Sequence, residues 1–273
     1  MKKIILALTL LCSLFLYSTA QKTKTLKKVI ELQMPEGSGS NGASVAYHPL
    51  LKKYYASFAG NESFPMAVFD IKGKRLSEED LTAGFDVRGL WYNAFTKTIQ
   101  ANGYEKFGWT NFKLDKKGIP TSNTVFQEGM HQPDEQSVGT YDNKKKEVYF
   151  LSGNKVVAYD LKGTQINEKI LELGEEDMNQ DEDTEEDEDA EQTSLPERYN
   201  NTTVVFTGIP KAEWGLYDTE NNELVLFNRA TGKITKKIPL GDDAPKIGLF
   251  CFAYTNGIIF LFDKDARAWY GYK

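Results

Sequence analysis

The sequence predicts an all-β repeat protein, a five-bladed β-propeller whose last blade is closed by the N-terminal strand. Three observations carry this. An aromatic-or-Leu, Asp-or-Asn, Gly turn recurs at a constant spacing. A second turn series, opened by Tyr or Phe, occurs five times. The final repeat lacks a fourth strand, and the N-terminus carries a segment that resembles one. Composition agrees: 14 Tyr, 16 Phe and 22 Gly favour strands and tight turns over helices.

The first series runs Phe69-Asp70-Ile71-Lys72-Gly73, Leu114-Asp115-Lys116-Lys117-Gly118, Tyr159-Asp160-Leu161-Lys162-Gly163 and Phe227-Asn228-Arg229-Ala230-Thr231-Gly232. Each follows an apolar run. In each, Asp or Asn opens a hairpin turn and Gly supplies the positive φ that closes it. Asp70, Asp115 and Asp160 are 45 residues apart. Asn228 follows 68 residues later, which restores the period once the 23-residue stretch from Gly174 to Pro196, both included, is set aside. The second series is Tyr47-His48-Pro49, Tyr92-Asn93-Ala94, Tyr141-Asp142-Asn143, Phe206-Thr207-Gly208 and Tyr254-Thr255-Asn256. Four short strands in each unit of about 45 residues are the signature of a propeller blade.

The third unit predicts strands over Ser137–Tyr141, Glu147–Ser152, Lys155–Tyr159 and Gln165–Leu173. The fifth predicts only three, over Ile247–Tyr254, Gly257–Phe262 and Arg267–Lys273. The segment Leu26–Leu32 resembles the fourth strands Ile234–Leu240 and Asn167–Leu173, so it is expected to complete that blade and leave no exposed edge. The pattern resembles the bacterial secreted propellers of the YVTN and NHL kind at the level of architecture. The Trp-Asp dipeptide of WD40 blades and the YVTN tetrapeptide are absent, so that resemblance implies a fold and no site residues.

Residues 1–20 read as a signal peptide: Lys2 and Lys3, an apolar stretch from Ile4 to Tyr17, then small residues ending at Ala20. The stretch is shorter than the ~20 residues a membrane span needs, so no stable span is expected after cleavage. Export places the protein in the periplasm, at the cell surface or outside the cell. Residues 21–273 form one propeller domain in this reading. Of the two cysteines, only Cys251 remains after cleavage, in an apolar run, which suggests a buried thiol. No standard metal site, cofactor motif, phosphate-binding loop or nucleophile elbow is present, and no catalytic residue is identified.

The stretch at about 174–196 is an acidic insertion expected to be disordered, with 12 acidic residues and no basic ones from Glu175 to Glu191. Beyond residue 20 and outside that run the chain carries 31 Lys and Arg against 27 Asp and Glu. Asp177–Asp183 alternates oxygen ligands but lacks the central Gly and terminal Glu spacing of an EF-hand, so any calcium binding there is expected to be weak and non-specific. Export and overall acidity argue against nucleic acid as a partner.

Within each blade we letter the strands a to d from the axis outward. Irregular d–a and b–c loops on one face are where ligand contacts are expected, since binding residues collect on such loops. The candidates there are Asp86, Arg88, Trp109, His131, Asp134, Tyr199 and Asn200, a polar site with an aromatic wall. The leading functional reading is an exported, non-enzymatic binding or scaffold module that engages a protein or glycan through this loop face. The alternative is a carbohydrate-active hydrolase with Asp86, Asp134 and Asp242 converging in the channel. His48 is discounted as a base, because its turn slot holds Asn, Asp or Thr in the other blades. Trp91, Trp214 and Trp269 are expected to pack between blades.

Overall fold

The computed structural model describes residues 24–174 and 194–273; the residues read as a signal peptide and most of the acidic insertion fall outside them. Five antiparallel sheets form five blades. The first contains β2 (Asn41–His48), β3 (Lys53–Ala59) and β4 (Met66–Asp70). The second contains β5 (Val87–Asn93), β6 (Thr98–Gly103), β7 (Trp109–Leu114) and β8 (Pro120–Gln127). The third contains β9 (Thr140–Asp142), β10 (Glu147–Ser152), β11 (Lys155–Asp160) and β12 (Gln165–Ile170). The fourth contains β13 (Val205–Phe206), β14 (Trp214–Asp218), β15 (Glu223–Phe227) and β16 (Ile234–Pro239). The fifth contains β17 (Phe252–Thr255), β18 (Ile258–Asp263) and β19 (Ala268–Tyr272), completed by β1 (Lys28–Gln33).

The closing strand pairs with β19, Leu32 opposite Trp269 and Gln33 opposite Ala268. Leu32 on its inward face is fully buried, Ile30 on the same face packs partly buried against the same core, and Met34 just beyond the strand is fully buried too. Alternation of apolar and charged residues therefore fixes the register, because a one-residue slip would expose Leu32 and bury Glu31.

The recurring turns behave as their chemistry requires. Asp70, Asp115 and Asp160 each accept two backbone N–H groups through Oδ1, and Gly73, Gly118 and Gly163 each adopt positive φ. Two elements differ from expectation. The first blade has only three strands. Its fourth position is an irregular segment in which the Ser77 hydroxyl, rather than a ladder carbonyl, accepts the Val68 N–H. Leu76-Ser77-Glu78-Glu79-Asp80 has no alternation to hold a strand. The innermost strand of the fifth blade starts at Phe252, not Ile247, because Phe250 and Cys251 both take positive φ, 60° and 54°.

Inner strands approach closely. A Cβ on Gly89 would lie 2.4 Å from the Gly139 carbonyl oxygen of the next blade. Between blades, aromatic pairs fill the gaps: Trp109 on Phe150, Tyr149 on Trp214, and Phe58 on Phe262. Cys251 is fully buried, and burial pushes its thiol up to about 11. Since the thiolate is the reactive form, alkylation of the native protein at neutral pH should be slower than that of the urea-unfolded chain by at least roughly a hundredfold. Equal rates, followed by mass spectrometry, would show that the fifth blade opens readily.

Candidate functional site

The d–a end of the axis is sealed. Arg88 at the start of the second blade is 3% exposed. It pairs with Asp86, and its Nε donates to Gln136 Oε1 at 3.1 Å. Its guanidinium lies 5.2 Å from the ring centre of Phe250, which belongs to the fifth blade. Blades two and five are not neighbours, so this contact crosses the axis. Asn200 donates to the Gly248 and Phe250 carbonyls, and the Phe250 N–H donates to the Thr202 hydroxyl. Between the two ends, a cavity of about 10 Å³ is lined by residues of all five blades, Val45, Leu90, Val138, Val204 and Phe252 among them. That is room for one water at most.

Each residue singled out in the sequence has a definite place in this geometry. Asp86, Arg88 and Asn200 converge on the seal. Asp134 is exposed and caps a turn by accepting the Gln136 N–H. Trp109 is fully buried among Trp91, Phe126, Phe150 and Tyr159, so its ring forms inter-blade packing. His131 sits over Trp109, both ring nitrogens beside carbonyls, of Gly163 and Glu128. Tyr199 is buried in the core between the third and fourth blades. Asp242 is exposed on its loop. His48 accepts the Leu51 N–H at Nδ1, leaving Nε2–H to donate to the Lys97 carbonyl, and burial lowers its pKa.

The opposite end of the axis opens into a cup of about 640 Å³. Its wall takes the same position from every blade: Tyr47, Tyr92, Tyr141, Phe206 and Tyr254. These are the five residues that open the second turn series. Each ends an innermost strand just before its a–b turn, so five-fold repetition in the sequence becomes a ring of aromatic side chains in space. The turns are fastened to one another below the rings. Tyr47 N–H donates to Thr255 Oγ1, Asn143 bridges Ala94 N–H and the Tyr92 carbonyl, and Phe206 N–H donates to Thr140 Oγ1. None of the phenol hydroxyls of Tyr47, Tyr92, Tyr141 and Tyr254 has a hydrogen-bond partner among the described residues.

Two carboxylates line the cup, Asp142 and Glu213. Asp142 accepts the N–H groups of Lys144 and Lys145 and pairs with Arg229 at 2.7 Å. Glu213 accepts the N–H groups of Lys211 and Arg229. Burial opposes its ionisation, but those N–H groups and the Arg229 guanidinium outweigh burial and hold its carboxyl below the usual range. With Lys144 and Arg229, the lining carries two negative and two positive groups. The sequence marked these aromatics as turn positions. The signal that would have found the cup is their shared place at the axial end of each strand a.

Among the described residues no group of three or more His, Cys, Asp or Glu side chains is placed to hold a metal, and no helix is long and apolar enough to cross a membrane. No protein-family model matches the chain, and no curated protein matches it. Solved structures do. The chain is similar to the glutaminyl cyclase of Myxococcus xanthus, with a TM-score of 0.55 at 10% identity, covering 91% of this chain and 96% of that one. It is also similar to the Cps50 (Swd1) β-propeller domain of Myceliophteria thermophila, with a TM-score of 0.45 at 12% identity over 87% and 84% of the two chains. Streptogramin B lyase gives a TM-score of 0.38 at 14% identity over 85% and 65%. At these identities the likeness is one of fold.

Proposed function

We propose that the protein is an exported, non-enzymatic binding module that holds a saccharide in the axial cup. The observation that carries this reading is the aromatic ring of Tyr47, Tyr92, Tyr141, Phe206 and Tyr254, four of its members with unpartnered hydroxyls. A sugar ring offers apolar faces to aromatic planes and hydroxyls to phenols, and a lining of balanced charge suits a neutral ligand. The amino-terminal residues support export. A hydrolase is less well supported at this position. Such an enzyme needs a carboxylic acid kept protonated by its surroundings, whereas Glu213 is held ionised and Asp142 is paired with Arg229.

The test is a glycan array probed with the mature chain, followed by calorimetry on the best ligand. Tyr92→Ala combined with Tyr254→Ala should weaken binding roughly tenfold to a hundredfold, from two lost stacking faces. The matching Tyr→Phe pair should lose less, keeping the faces and removing only the hydroxyls. An array with no retained glycan, or Ala variants that bind like the parent, would overturn the reading.

A further inference from the structure

The rim of the cup is built from the a–b turns, and its tips combine two features. Apolar side chains project into solvent: Phe95 is 77% exposed, Leu50 65% and Ile209 42%. Between them stand Lys52, Lys97, Lys144, Lys145, Lys146 and Lys211, all exposed. The carboxylates beside these turns are engaged: Asp142 and Glu213 by Arg229 and by backbone N–H groups, and Glu147 by the Tyr149 hydroxyl and, at 3.9 Å, by Lys145. The rim is therefore positively charged as well as apolar.

These tips are rigid. Asn93 Oδ1 accepts the N–H groups of Phe95 and Thr96, His48 Nδ1 that of Leu51, and Thr207 Oγ1 that of Ile209. The Lys146 ammonium lies 4.8 Å from the centre of the Phe95 ring. The backbone adds a further sign. Lys52, Lys97, Lys146 and Lys211 each sit at positive φ, between 54° and 65°, at the end of their turn. The fifth blade uses Asn256-Gly257 in that role, both at positive φ. A left-handed backbone is disfavoured for Lys where it would be free for Gly. Four blades thus carry a lysine where the backbone alone would favour Gly or Asn.

We propose that this face docks on an anionic lipid surface, with Phe95, Leu50 and Ile209 inserted at the interface and the six lysines among the headgroups. Separate apolar tips with lysines between them suit a membrane, where each tip enters independently and the lysine stems lie along the apolar boundary. A stable protein partner would instead call for a contiguous apolar centre with a polar rim. Charge complementarity favours anionic lipid, each lysine near such a surface strengthening attachment about fivefold. The cup then opens toward the membrane, but the docking stands without the saccharide reading.

Co-sedimentation of the mature chain with phosphatidylcholine vesicles containing roughly a third phosphatidylglycerol tests this. Binding is expected to the mixed vesicles, to weaken with added salt, and to be weak on phosphatidylcholine alone. Lys144→Gln, Lys145→Gln and Lys146→Gln together should weaken it roughly a hundredfold. Phe95→Ser with Leu50→Ser should cost roughly tenfold. Both sets alter exposed side chains, and an unchanged melting temperature confirms that each variant is folded. No binding to the mixed vesicles, binding unaffected by either set, or capture of soluble polyglutamate in place of vesicles would each overturn the proposal. The Tyr92 and Tyr254 variants should bind vesicles like the parent, which separates failure at the rim from failure in the cup.

Discussion

Deleting residues 21–33 from the mature chain should lower the melting temperature by roughly 10–20 °C. The deletion removes β1, and with it Leu32, whose buried side chain alone is worth about 1.5–3 kcal/mol. It removes the ladder from Lys28 opposite Tyr272 to Gln33 opposite Ala268, and the Leu26 N–H bond to the Pro239 carbonyl of the fourth blade. It also uncovers Trp269 and Tyr272, now fully buried, and leaves β19 as an open edge. The summed loss is on the order of 5 kcal/mol or more, comparable with the stability of a typical domain. Calorimetry on deleted and parent chains decides it. A deletion variant that melts with the parent would mean that the ring is held shut by other contacts.

Replacing Asn102 by Ala is expected to be the most damaging single substitution in the seal region. Asn102 is fully buried on β6. Its Oδ1 accepts the N–H groups of Gly89 and Gly139, at 2.9 and 3.0 Å. Its Nδ2 donates to Gln132 Oε1 and the Ser137 carbonyl, at 2.7 and 2.8 Å. Gly89 and Gly139 stand on neighbouring blades where side chains would collide, so this one amide fastens the closest approach between them. Alanine leaves two donors and two acceptors buried without it, at about 1–3 kcal/mol each before relaxation. A net loss of roughly 3–5 kcal/mol should follow, read as a lower urea midpoint with unchanged slope. A loss below about 1 kcal/mol would show that water replaces the amide and that the blades are not fastened there.

The architecture was legible because turns are written in local chemistry. Asp70, Asp115, Asp160 and Asn228 take the same backbone bonds in the structure that their residue type and the following glycine imply. The closing strand was legible because alternation of the Leu32 kind has only one stable register. The irregular fourth position of the first blade was less so: Ser77 satisfies the Val68 N–H from a side chain, which leaves no periodic trace. The cup was hidden for a different reason. Tyr92 or Tyr254 reads equally well as a turn opener or as a wall, and only the assembly of the five blades around one axis brings the five together. Residue type misleads in the opposite direction at the sealed end. Arg88 and Asp86 have the look of ligand contacts, yet they satisfy each other, and Trp109 is a binding aromatic by composition and a packing one by depth.

The pairing of β1 with β19 also sets the order in which this molecule can be made. Lys28 precedes the first blade and its partner Tyr272 lies in the fifth, so the ring cannot close until all five blades have been synthesised. Earlier blades can assemble on one another as they appear, each hairpin being local, but the fifth waits. Until then β1 is an unpaired amphipathic strand and the fourth blade has an uncovered flank. A chain that completes its fold only when the two sides of this ladder meet stays open through the making of every blade, and closure is a single, late and all-or-none event.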